Sequence, residues 1–279
     1  MREFAVSHPS HVGRLARRKG SVLPATFTAA VRGLVAIGLL LVGPGAASAQ
    51  VKVLISGGFS PAYRELLPQF EKSTGITVTT ATGGSVGAGP NTIGGQLRRG
   101  VPADVVILAR EGLGDLIAEG RILSGSDVDL AGSAIGMIVP AGAPKPDIST
   151  VDALKQTLLR AKSVAISTST SGVYLTTKLF PRLGIADEMA AKTQTSGSAA
   201  VGRGEAEIGL QQVSEVLAVP NATYVGTIPA DVQYFTVYAA AIVSDSKAVE
   251  SARRLIAFLS AEGATGAIRK SGMEPSRKR

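Results

Sequence analysis

The chain has 279 residues, a formal net charge of +8, 45% hydrophobic residues and no Cys or Trp. The lack of cysteine excludes disulfides, thiol nucleophiles and Cys-ligated metals. The two histidines, His8 and His11, lie near the amino terminus, so Ser-His-Asp catalysis, histidine proton transfer and His-ligated zinc are excluded for the rest of the chain.

Residues 1–49 carry Arg14, Arg17, Arg18, Lys19 and Arg32 ahead of an apolar run over 33–42, then Ala47, Ser48 and Ala49 as a small-residue cleavage pattern. This order reads as a secretory signal peptide with a long basic region, cleaved to leave Gln50 as the new terminus. The apolar run is short for a bilayer span, which argues against a retained anchor. The residues around Arg17 and Arg18 fit a twin-arginine export signal poorly. Removing the six Lys/Arg and one Glu of 1–49 lowers the formal charge from +8 to +3, which does not point to nucleic acid.

A strand is expected over 51–55, where Val51, Val53, Leu54 and Ile55 form an apolar run. After the turn SGGFSP comes a helix with Ala62, Leu66, Leu67 and Phe70 on one face and Arg64, Glu65 and Glu71 on the other. Pro68 predicts a kink in that helix, and Gly75 predicts its C-terminal cap. Ser60 takes the N-cap position and Pro61 the first helical one. A hydroxyl and free first-turn N–H groups there can hold an anion at the positive end of the helix dipole. An isolated Ser-Pro pair reads first as a cap alone. The same strand–loop–helix device recurs at three later segments, and that repetition argues for a site.

A second strand is expected over 76–81, followed by the glycine-rich loop around Ser85 and a short helix from Asn91 and Thr92 with Ile93 and Leu97 inward. Such a loop can cradle an oxyanion with its N–H groups or be a flexible surface connection. No Gly-Lys-Ser/Thr follows, so it is not a P-loop. The third strand, 102–109, ends at Arg110, where open α/β sheets bind ligands. As a solvated cation instead, Arg110 would pair with Glu111 or Asp115. Helix 113–119, strand 134–140 and a Pro-rich connection suited to a crossing between lobes come next.

Helix 151–161 and strand 163–167 lead to STSTSGVY, where Ser169, Thr170 or Ser171 caps a helix running to about 179. Gly172 permits close backbone approach there, and Tyr174 sits in the first turn. A short helix over 199–203, strand 208–211 and helix 214–218 repeat the device, with Gln211 and Gln212 as neutral amides after a buried strand. Those amides either serve a ligand or satisfy loop backbone. A long strand over 234–243 returns to the first lobe, helices 247–259 and 261–270 close the fold, and the tail 275–279 is expected to be disordered.

Taken together, SGGFS, LRRGVPADVVILA, SGVYLTTKLFPRLG and GEAEIGLQQVSE make the chain resemble the periplasmic molybdate-binding family of ABC-transporter solute-binding proteins, over essentially everything after residue 49. The resemblance implies a two-lobed α/β periplasmic-binding-protein fold of type II, with mixed sheets flanked by helices. Lobe one would comprise 50–133 and 234–279, and lobe two 134–233, with the ligand in a cleft that closes by hinge motion. It further implies a small anionic ligand, an ABC-transporter permease as partner, a periplasmic location, a monomer, and no cofactor or metal.

By the same resemblance, Ser60 and Ser85 correspond to the family's ligand serines and Ser171, beside Gly172 and Tyr174, to a backbone donor. Gln212 stands where the family has a cleft tyrosine. The missing tyrosine, the enlarged loop around Ser85 and Arg110 in place of an acidic or polar residue suggest a site recast for a larger anion such as an organic acid. A periplasmic aconitate isomerase is similar to this same branch, and would move a proton next to a carboxylate while shifting a double bond. Without histidine its base would be Glu, Tyr or Lys, with Tyr174, Glu111, Glu205 and Glu215 as candidates. The sequence favours capture of a solute, with the isomerase as the alternative.

Overall fold

The computed structural model describes residues 50–276, so the signal-peptide reading of 1–49 and the end of the tail, 277–279, lie outside the described residues. Eleven strands form two sheets. The first holds β1 (Gln50–Ile55), β2 (Thr77–Thr82), β3 (Val105–Ala109), β4 (Val128–Ser133), β10 (Thr236–Ile242) and β11 (Glu274–Pro275), in the order β11-β4-β10-β3-β1-β2. The second holds β5 (Ile135–Pro140), β6 (Val164–Ile166), β7 (Thr193–Gln194), β8 (Ile208–Gln212) and β9 (Ala222–Thr227), in the order β7-β6-β8-β5-β9. β1 runs parallel to β2 and β3, while β10 is antiparallel to both β3 and β4. Among the described residues no helix is long and apolar enough to cross a membrane.

Alternation in β1 and β3 shows why both faces of the first sheet are covered. Val51, Val53, Ile55, Val105 and Ile107 pack with Phe70, Leu255 and Ile268 of the helices Ser60–Thr74, Val249–Leu259 and Thr265–Lys270. Leu54, Val106 and Leu108 face the other way, onto Ile93, Leu97 and Leu113 of the helices Ile93–Arg98 and Arg110–Ala118. The helix Ser60–Thr74 continues through Pro68 and ends on Gly75 at φ 68°, whose N–H reaches Glu71 O at 2.9 Å. Glycine adopts this left-handed conformation without the Cβ penalty other residues meet.

The segment after β6 forms the helix Thr170–Tyr174, a π-helical turn Leu175–Leu179 and the helix Phe180–Leu183. Pro181 lacks an N–H to give to this ladder, and one wider turn relieves the clash its ring would cause. Pro275, expected in a disordered tail, instead pairs with Ala131 of β4.

Two segments cross between the sheets, β4 into β5 and the stretch ahead of β10. Gln233 ties them together. Its Oε1 accepts Ile135 N at 2.7 Å, and its Nε2 donates to Ile135 O and Ile228 O, both at 3.1 Å. One amide thus occupies both backbone groups of the first residue of β5.

Candidate functional site

The carboxyl ends of β1, β3, β6 and β8 all lead into the loops that carry the expected site residues. β1 leads through Ser56 into a 3₁₀ turn, Gly57–Phe59, and then into the helix beginning at Ser60. That turn moves the start of the helical run three residues ahead of Ser60. Ser60 is therefore inside the run rather than at its cap, and its Oγ donates to Ser56 O at 2.9 Å. The hydroxyl left over is that of Ser56, which is 3% exposed and has no hydrogen-bond partner among the described residues.

The second lobe repeats this substitution. Ser171 is fully buried and its Oγ lies 3.3 Å from Ser167 Oγ, while the hydroxyl of neighbouring Thr170 is buried without a partner. Gly172 has a clear reason to be glycine, because a Cβ there would stand 1.6 Å from Ser167 O. Orphaned buried hydroxyls are uncommon, and at the mouths of two helical segments they are groups a ligand can satisfy.

Ser85 lies where the lobes meet. Its N–H donates to Ser169 Oγ of the second lobe at 3.2 Å, and its own Oγ accepts Ala109 N at 3.0 Å. Gln212 also bridges, donating from Nε2 to Thr236 Oγ1 at 2.9 Å. Tyr174 stacks on Tyr234 at a centroid distance of 4.7 Å and donates its hydroxyl to Val232 O at 2.8 Å. Tyr234 in turn donates to Glu111 of the first lobe.

Arg110 is not brought together with these groups. Its Nη1 pairs with Asp127 at 2.6 Å and its Nε with Asp129, so both arms of the guanidinium are engaged within the first lobe. Neither Glu111 nor Asp115, the near neighbours weighed from sequence, is its partner. The hydrogen bond from Arg110 holds the Asp127 carboxyl below its ordinary range. Arg110→Ala is expected to lower stability by about 1 kcal/mol, as for a partly exposed ion-pair cluster, and to leave anion affinity in the cleft unchanged. Thermal melts and calorimetry with a tricarboxylate read the two effects separately.

Of the four candidate bases, Glu205 is exposed and bound to Arg203, Glu111 accepts from Tyr234, and Tyr174 is engaged with Val232. Glu215 differs from all three. Its carboxyl is surrounded by protein on nearly every side, while the residue as a whole keeps intermediate solvent exposure. Burial pushes its pKa up to about 7, against a smaller downward pull from the Gln211 hydrogen bond. Its Oε1 would lie 2.3 Å from a Cβ on Gly57, and the hydroxyl of Tyr238 would lie 1.8 Å from one on Gly58. The glycine pair of SGGFS therefore clears space for a carboxyl from the second lobe and a phenol from β10. The sequence showed the two glycines but not what they make room for.

An open cavity of about 890 Å³ lies elsewhere, at the amino ends of β1 and β3 beside Lys52, Asp104 and Arg121. Asp104 is fully engaged there, accepting Lys52 N and Ser246 Oγ. Among the described residues no group of three or more acidic, His or Cys side chains could hold a metal ion.

The family model for bacterial extracellular solute-binding proteins matches residues 51–274. The chain belongs to that family. An aconitate isomerase from a Pseudomonas species is 45% identical over 227 residues, covering 80% of this chain and 87% of that protein. A molybdate-binding protein of Azotobacter vinelandii is 26% identical over 248 residues, covering 86% and 95%. The solved structure of the periplasmic molybdate-binding protein of that organism superposes with a TM-score of 0.64 at 21% identity, over 82% of this chain and 100% of the other. The structural likeness shows the two-lobed α/β binding-protein fold. In this solute-binding family the present chain falls in the branch that includes the isomerase.

Proposed function

We propose that the protein is a periplasmic isomerase of the aconitate type, working in the cleft of a solute-binding fold. The observation that carries this reading is Glu215, a carboxyl with its pKa pushed up to about 7 on the wall of an anion cleft. In a pure anion receptor the ionised form of such a group opposes the ligand and serves no step. In an isomerase it is a base poised near neutral pH. The 45% identity to an aconitate isomerase supports the same choice.

The chemistry balances without cofactor or redox partner. The Glu215 carboxylate takes a proton from the methylene carbon between a carboxylate and the double bond. The C–H electron pair becomes the new double bond, and the former π pair passes to the far carbon. Glu215 returns the proton to that carbon. Whether cis or trans product forms depends on the rotamer of the bond that becomes double, which the cleft fixes. The hydroxyls of Ser56 and Thr170 and the helix start at Gly57 supply neutral donors and dipole for the carboxylates.

The molybdate-binding relatives favour a second reading, capture of an anion for an ABC transporter. Ultraviolet absorbance decides between the two when the purified protein meets cis- or trans-aconitate. Catalytic conversion of one into the other, many equivalents per protein, is the expected result. Stoichiometric thermal stabilisation without conversion would return the protein to the solute receptors.

A further inference from the structure

Tyr238 lies on β10 between β3 and β4, where it pairs with Ala109 on one side and Ala131 on the other. The register against β4 shifts between Tyr238 and Ala239, a bulge of the kind that re-aims a side chain. The ring is 3% exposed, and the hydroxyl comes to the backbone of Gly58, next to the Gly57 that faces the Glu215 carboxyl. The hydroxyl of the neighbouring Tyr234 is engaged with Glu111. The Tyr238 hydroxyl has no hydrogen bond among the described residues. Unlike the sealed hydroxyls of Ser56 and Thr170, its oxygen keeps access to solvent, so a phenol directed at the same turn as the base is a donor open to something that enters the cleft.

We propose that the Tyr238 hydroxyl donates a hydrogen bond to the substrate carboxylate on which negative charge builds while Glu215 holds the proton. This inference rests on the isomerase reading. Proton removal beside a carboxylate places charge on its oxygens, and a preorganised neutral donor there acts mainly in the transition state. Burial and the nearby Glu215, Glu111 and Tyr234 push the phenol well above its ordinary pKa, so it remains protonated and can donate at every working pH. Tyr238 therefore complements Glu215 and does not duplicate it: one group moves the proton and the other receives none.

The test compares Tyr238→Phe with Glu215→Gln and the wild type, all assayed with cis- and trans-aconitate. Tyr238→Phe keeps the ring that packs in β10. It is expected to lower kcat and kcat/KM together by about 100-fold while KM and the melting temperature stay near wild type. The midpoint of its pH–rate profile should remain where Glu215 sets it, which a general loss of site structure would not preserve. Wild-type kcat in Tyr238→Phe alongside an inactive Glu215→Gln would overturn the Tyr238 assignment and leave the isomerase reading intact. If the wild type converts nothing, the isomerase reading fails. The Tyr238 assignment, a transition-state role, is overturned with it.

Discussion

Glu215→Gln is expected to lower aconitate turnover by roughly 10²–10⁴-fold, the usual contribution of a positioned general base. Glutamine keeps an acceptor for the Gln211 amide but cannot take a proton. In the wild type, kcat/KM should rise with pH to a plateau with a midpoint near the Glu215 pKa of about 7. The same substitution should raise stability at alkaline pH. The folded-state pKa of about 7 lies above the ordinary value of 4.5, so the folded protein binds more protons than the unfolded chain between them. Stability therefore falls as pH climbs through that window, by roughly 3 kcal/mol in total, and is recovered on acidification. Glu215→Gln has no such term. Urea titrations at pH 5 and pH 8 should show the wild type losing ground to the variant at the higher pH, even as the variant loses activity.

Gly58→Ala is expected to damage the fold. The added carbon would stand 1.8 Å from the Tyr238 hydroxyl and 1.9 Å from its ring carbon. The ring belongs to a strand hydrogen-bonded on both sides, so neither partner can withdraw. Overpacking of this kind costs about 1–3 kcal/mol or more, a fall in melting temperature of several degrees for a chain of this size. Gly57→Ala should behave differently. Its methyl meets only the tip of a flexible carboxyl, which can swing aside. The fold should survive and turnover should drop, because the base has moved. Adjacent glycines would then give two phenotypes, one read by thermal melts and the other by kinetics.

Much of the fold was legible wherever a segment carries its own periodicity. β1, the helix after it and its end at Gly75 follow from apolar spacing and a required left-handed residue. β4 and β9 were not foreseen. VDLAGS has little strand character of its own and is a strand because β10 offers it a hydrogen-bonding edge, while ATYVGT carries Thr, Tyr and Val suited to the edge that β5 offers. The site was legible by location only. Serines at helix starts drew attention to these turns, yet which hydroxyl is free depends on tertiary detail: the 3₁₀ turn engages Ser60 and spares Ser56. Arg110 misled because its acids lie 17 and 19 residues away along the chain, beyond the range of local pairing rules. Glu215 stood among four candidates, and only its surroundings in the folded cleft separate it from the others. Tyr238 read as one more residue of a long strand.

The contacts across the cleft also set how readily the protein opens. Ser85 to Ser169 is a neutral hydrogen bond and Tyr234 to Glu111 is a charge-assisted one. Bonds of these kinds contribute about 1 and about 2 kcal/mol net, so this pair, leaving aside the Gln212–Thr236 bridge, favours the shut form by roughly a hundred-fold. That bias is small enough for the empty cleft to open spontaneously and often. A catalyst that must release product at every cycle gains from a clasp this weak, whereas a receptor that retains its cargo until it docks would gain from a stronger one.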